Sequence, residues 1–227
     1  MSIKEKLRLN FKEEKAKLSK MSWKDKIWYI WEYYKLHMLG VILLCVVIYT
    51  VGVSIHNRNI TSVLYGALIN DYLTEDNLET FTDEFKEAVA FNPKKESVNL
   101  DTTIRIDLEQ QTEFTMSSLT KVTVLVASQS LDFIISDTPI FENYAALDTY
   151  QDLEVLLPDD MKEALRGRFL YATDSTGAKK AYGLDLSGTR YDTVAGSFLT
   201  PPVFSVVSNT KNTENALLFL RILCDLN

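Results

Sequence analysis

Histidine is almost missing: the 227 residues hold two, His37 and His56. Everything after position 56 therefore lacks the groups for Ser-His-Asp or Cys-His catalysis and for His-based zinc sites. Cysteine is equally scarce. Cys45 lies in an apolar run and reads as a packing or lipid-facing residue, while Cys224 reads as a small hydrophobe on the last helix. Two cysteines so placed predict no internal disulfide. With eight glycines there is no Walker loop and no dinucleotide-binding turn. The expectation is no cofactor and no metal. Carboxylates are abundant, so a glycosidase-like pair carries no specific signal. Asp185 and Asp192 lack the spacing of a calcium loop. The chain is expected not to be an enzyme.

What the chain has is an eighteen-residue stretch without charge, Met38 to Ile55. As a helix it reaches roughly 27 Å, close to the ~30 Å hydrocarbon thickness of a bilayer. Residues 1–35 carry ten Lys or Arg against five acids, net +5, and the overall −7 leaves −12 for the rest. Basic flanks stay inside, which predicts a cytoplasmic N-terminus and an extracytoplasmic C-terminal domain. A cleaved signal peptide is the competing reading. It would need an unusually long basic region, and no A-x-A-like site follows the run. A buried helix of a soluble protein would show a polar stripe, which is missing here.

All three tryptophans fall in one stretch: Trp23, Trp28 and Trp31, interleaved with Tyr29, Tyr33 and Tyr34. Such rings favour the headgroup level, which makes the lipid bilayer the first expected partner. Upstream, Ile3, Leu7, Phe11 and Leu18 recur at helical spacing among lysines. Two readings stay open for residues 1–20: an amphipathic helix on the inner leaflet, or a solvated tail whose charges set topology. Acids interrupt the basic run, which argues against nucleic acid. The domains expected are a juxtamembrane arm (1–35), a transmembrane helix (36–56), a linker (57–61) and an extracytoplasmic domain (62–227).

Hydrophobic period and capping residues divide the last part. Residues 63–69 read as a buried strand. Thr74 or Asp76 caps a helix to about Ala90, with Leu78, Phe81, Phe85 and Val89 on one face. Alternation over 98–108 predicts a strand, 112–128 a helix and 131–136 a strand. Asp137 caps a helix through Ala146 with Pro139 in its first turn. Residues 148–157 read as a loop and 158–167 as a helix. The stretches 168–172 and 179–186 form a hairpin around Asp174-Ser175-Thr176-Gly177. A strand over 203–208 and a helix over 214–226 end the chain. The early alternation predicts an α/β fold: a mainly parallel or mixed sheet with helices on both faces, behind an N-terminal amphipathic and transmembrane helix.

Leu131-Asp132-Phe133-Ile134-Ile135-Ser136-Asp137, followed by Phe141, Tyr144-Ala145-Ala146 and Tyr150-Gln151-Asp152-Leu153, resembles extracellular solute-binding proteins. Lys211 to Leu220 resembles the element by which that family's chain returns to its first lobe. The aromatic anchor resembles small membrane proteins of gram-positive bacteria. These likenesses are patchy. They imply one lobe of a type II periplasmic-binding-protein fold. Family members have two lobes with the ligand between them, whereas this chain has room for one lobe and a small insert at about 168–200.

In open α/β sheets, ligands bind beyond the carboxyl ends of the strands. The candidates there are Asn70, Asp71, Asp107, Ser136, Asp137, Thr138, Ser208 and Asn209. Each has a plainer role, because these residue types also cap helices after strands. The function expected is non-catalytic recognition at the outer membrane face, of a small solute or, alternatively, of a partner protein by a regulatory or assembly subunit.

Overall fold

The computed structural model describes residues 19, 21–58, 60–110, 112–195 and 201–226. Ile3, Leu7, Phe11 and Leu18 lie outside the described residues, as do the side chains of Tyr29, Tyr33 and Tyr34. The chain divides into two units, Met1–Asn59 and Ile60–Asn227.

Among its described residues, the first unit has the long helix α1 (Trp23–Arg58). Its stretch Lys35–Ser54 has a mean hydropathy of 2.4, and none of it is buried. Among the described residues it is the one helix long and apolar enough to cross a membrane. The helix continues through Asn57 and Arg58, where a linker was expected.

The second unit is a mixed α/β domain. Its elements are β1 (Thr61–Leu68), α2 (Glu75–Ala88), β2 (Glu96–Asp101), α3 (Glu113–Ala127), β3 (Phe133–Ser136) and α4 (Thr138–Ala145). Then follow α5 (Leu153–Leu156), α6 (Asp159–Ala164), β4 (Phe169–Thr173), β5 (Lys179–Asp185), α7 (Arg190–Ala195), β6 (Val203–Val206) and α8 (Thr213–Leu223). Four helices start where a short polar side chain accepts from the first turn, among them α5 at Asp152. Thr74 takes the Asn77 N–H, Thr112 that of Thr115, and Asp137 that of Ile140 at 3.0 Å.

The six strands form one sheet in the order β2-β1-β3-β6-β5-β4. β1 pairs parallel with both β2 and β3, while β3–β6, β6–β5 and β5–β4 are antiparallel. The sheet is therefore mixed, the second of the two arrangements expected, with both parallel pairings made by β1. The mixing comes from the hairpin, since β4 and β5 reverse direction across Asp174–Gly177 and β6 comes back beside β3.

Both faces are covered. On one, Leu64, Leu68, Phe133, Phe204 and Val206 meet Phe81 and Phe85 of α2, Met161 of α6, and Phe219, Leu220 and Leu223 of α8. On the other, Ala67, Ile69, Ile134, Val203 and Val207 meet Val122 of α3 and Ile140, Phe141 and Tyr144 of α4. The period of two in each strand sends alternate side chains to opposite cores.

Three local expectations change. The strand predicted over 98–108 stops at Asp101, whose carboxylate takes the Thr103 N–H and hydroxyl. Ile104 and Ile106 are buried without being in a strand. The loop predicted over 148–157 contains α5, one turn capped by Asp152. The helix α7 was not anticipated.

Candidate functional site

A cleft of about 870 Å³ opens beyond the carboxyl end of β1, between the first turns of α3 and α4. β1 feeds α2 and β2 on one side, and β3 with α4 lies on the other, so the cleft sits where the winding changes direction. Asn70, Arg105, Asp107, Thr112, Phe114, Asp137 and Pro139 are among the residues that line it.

Asn70 shapes the floor. Its φ of 59° is a left-handed conformation that asparagine tolerates better than most residues. Its side-chain amide donates to the Ile106 carbonyl at 2.9 Å, and its Oδ1 accepts the Ile106 N–H at 2.9 Å. The side chain thus replaces a strand partner for Ile106. The same amide donates to Asp137 Oδ2 at 3.2 Å, which ties β1 to the start of α4.

Arg105 fixes the wall. Its guanidinium donates to the carbonyls of Thr102 (2.6 Å), Ile104 (3.0 Å) and Asp71 (2.6 Å), and it lies 5.0 Å from the centre of the Tyr72 ring. The group is structural, with its donors turned on backbone. Around the cleft, Tyr72 is 69% exposed and Phe114 59%, with Leu108 also open to solvent.

The eight residues picked from strand ends separate. Asn70, Asp107 and Asp137 line the cleft. Asp71 is fully buried; its carboxylate accepts the Leu73 N–H at 2.8 Å and the Tyr191 hydroxyl at 2.5 Å. Burial raises the Asp71 carboxyl above its ordinary range, against the pull of the Tyr191 bond. Ser136 is buried and donates to the Asp137 carbonyl at 3.2 Å. Thr138 is the first residue of α4, outside the cleft lining. Ser208 and Asn209 lie at the opposite end of the sheet, because β6 runs antiparallel to β3. There the Ser208 N–H meets the Thr149 carbonyl, and the Asn209 amide donates to the Val126 carbonyl at 2.8 Å.

Sequence reasoning missed Tyr72, Arg105 and Phe114. An exposed aromatic directly after a strand-ending Asn-Asp pair is the one local signal that pointed to Tyr72. Among the described residues no group of three or more His, Cys, Asp or Glu is placed to hold a metal ion.

In the first unit, Trp23, Trp28 and Trp31 are more than 60% exposed. Lys24, Ile27, Trp28, Trp31 and Met38 share one side of α1 and line an apolar groove of about 330 Å³. Lys26 lies 6.0 Å from the Trp23 ring. Rings and amines interleave along this part of the helix.

The chain matches no protein-family model, no curated protein and no solved structure.

Proposed function

We propose that the chain is a single-pass membrane protein whose C-terminal domain is a non-catalytic recognition module facing outward. In this reading α1 is the anchor. Its Lys-rich N-terminal side stays in the cytosol, and Trp23, Trp28 and Trp31 sit at the inner headgroup level. The domain takes a small solute in the cleft beyond β1. The observation that carries this is the cleft itself: about 870 Å³ is within the usual range for small-molecule sites, at the place where open α/β sheets hold ligands. The resemblance to one lobe of a solute-binding protein adds support. Leu131–Asp137, which carries part of that resemblance, runs through β3, and Lys211–Leu220, which carries another part, leads into α8.

A thermal-shift screen of the full chain in maltoside micelles, against amino acids, amines, sugars and short peptides, tests the reading. A ligand at a hundred times its Kd stabilises by about 2.7 kcal/mol. For a domain of this size that raises Tm by roughly 5–10 °C. A screen in which no compound moves Tm counts against a solute. Labelling of intact cells with a membrane-impermeant reagent tests orientation; modification of residues 1–20 instead of the domain would overturn it.

A second reading, recognition of a partner protein, has its own observation. Tyr72, Leu108 and Phe114 are all substantially exposed around one opening. Crosslinking in native membranes that repeatedly yields one partner would favour it.

A further inference from the structure

The charge and shape of the cleft go further than its position. We infer that it takes a small organic cation with an apolar body, an aryl- or alkylammonium, and this inference rests on the solute reading above. Three carboxylates line the cleft: Asp107, Glu109 and Asp137. The one basic residue in the lining is Arg105, and its donors are taken by three carbonyls. The lining therefore sums to −2. Asp137 divides its oxygens between the Ile140 N–H and the Asn70 amide. Asp107 turns one oxygen to the N–H groups of Glu109 and Gln110.

An anion would need donors, and two of the first-turn N–H groups here are already taken. Two helices begin at the cleft, but Thr112 already takes the Thr115 N–H in α3. In α4 Pro139 has no N–H, and that of Ile140 belongs to Asp137. Glu113 adds a further negative charge to the first turn of α3. Asp137 at the start of α4 and Glu113 at the start of α3 set the protein's own negative charge where a helix dipole would otherwise attract an anion.

The apolar part of the ligand has partners too. The exposed ring of Phe114 lies in the same lining as the carboxylates, and Tyr72 is covered by Arg105 only on the side where that guanidinium stacks. An ammonium is attracted by a carboxylate and by a ring face, and its hydrocarbon buries against Leu108 and Phe114.

Isothermal titration of the full chain in maltoside micelles tests this with three probes of one shape: phenethylammonium, 2-phenylethanol and 3-phenylpropionate. The cation should bind about tenfold tighter than either of the others, and more weakly at high salt. D107N and E109Q should each weaken it about two- to fivefold, as exposed charge pairs do. F114A should weaken all binding, about fivefold for the cation. Circular dichroism of each variant verifies the fold. Equal or tighter binding of the alcohol or the carboxylate, lost in F114A, overturns the charge assignment and leaves a solute cleft standing. Binding of the cation that D107N, E109Q and F114A all leave unchanged places it elsewhere and also overturns the inference. If no probe binds, the inference falls, and a blank solute screen then removes the underlying reading as well.

Discussion

Gly66 offers the sharpest test of the packing that supports the cleft. It sits in the middle of β1, between Leu64 and Leu68 on one face, and is paired with Phe133 of the neighbouring parallel strand. A Cβ at this position would lie 2.1 Å from Phe133 Cζ and 2.6 Å from both Cε atoms. The ring has nowhere to go. Phe204 stacks on it with centroids 5.1 Å apart, Phe219 does so at the same distance, and the side chain is fully buried. Removing glycine from a strand ordinarily gains roughly 0.5–1 kcal/mol. Forcing a methyl group into a filled core costs about 1–3 kcal/mol, and this contact belongs at the upper end. Gly66→Ala should thus destabilise the domain by about 2 kcal/mol. At roughly 2–4 °C per kcal/mol, its Tm should fall by about 4–8 °C.

Thermal unfolding of the full chain, followed by near-ultraviolet circular dichroism of the tyrosines, measures this without relying on the tryptophans of α1. Phe133→Leu supplies the control. Alone it loses stacking and volume, at about 1–2 kcal/mol. Combined with Gly66→Ala it opens space for the methyl group, so the pair should cost less than the sum by about 1 kcal/mol or more. A Gly66→Ala protein within 0.5 kcal/mol of wild type, or strict additivity in the double variant, would refute the reasoning.

Three further outcomes are expected. Tyr191→Phe removes the hydroxyl that supports the buried Asp71 carboxylate and should cost about 1–3 kcal/mol at pH 7. Because the folded-state pKa of Asp71 is raised, stability falls as pH climbs from the ordinary value of 3.8 through the raised one. The Tyr191→Phe penalty should therefore shrink near pH 4, and equal Tm losses at both pH values would contradict this. Asp174 has the opposite sign: the Thr176 hydroxyl, then the Ala178 N–H and the Tyr182 hydroxyl, hold its carboxyl well below the usual range. Its contribution is complete above 3.8 and lost as pH falls below, so Asp174→Asn should lower Tm at pH 7 and differ less from wild type in acid. Finally, burial pushes the Cys224 thiol up to about 11, so a water-soluble maleimide at pH 8 should label it slowly until the domain unfolds. Rapid labelling of the native protein would show the last helix to be more open than described.

Much of the domain could be read locally. Thr74, Thr112 and Asp137 announce their helices because a cap needs only a short polar side chain and the three residues after it. Pro139 marks a first turn for the same reason. Phe81 and Phe85 declare a buried face by spacing alone, whereas in the last helix, of the expected Leu217, Leu218, Leu220 and Ile222, only Leu220 is fully buried. Strand direction is not local. Val203–Val206 reads as a strand from its own residues, but only its seat beside β3 makes it antiparallel, and that reversal carries Ser208 and Asn209 away from the cleft. The helix α7 has no strong cap or period. Tyr191 holds it through a bond to Asp71, 120 positions earlier in the chain.

The failed strand over 98–108 is the most instructive case, because the cleft depends on it. Alternation there is real, and Ile104 and Ile106 are 1% and 4% exposed as an inward strand face would be. A strand carried on to Leu108 would have lain along an extended β1 and closed the space above it. The chain leaves the sheet at Asp101 instead, and side chains supply the bonds the ladder would have made. Asn70 pairs with both backbone groups of Ile106, and Arg105 satisfies three carbonyls at the bend. Buried backbone polar groups must find partners somewhere, and meeting that demand with an asparagine and an arginine frees residues 105–109 to form a wall. Period-two burial fixes where the isoleucines go. The polar residues between them decide whether the result is a strand or one side of a cleft, and here the departure from the simple pattern falls at the candidate site.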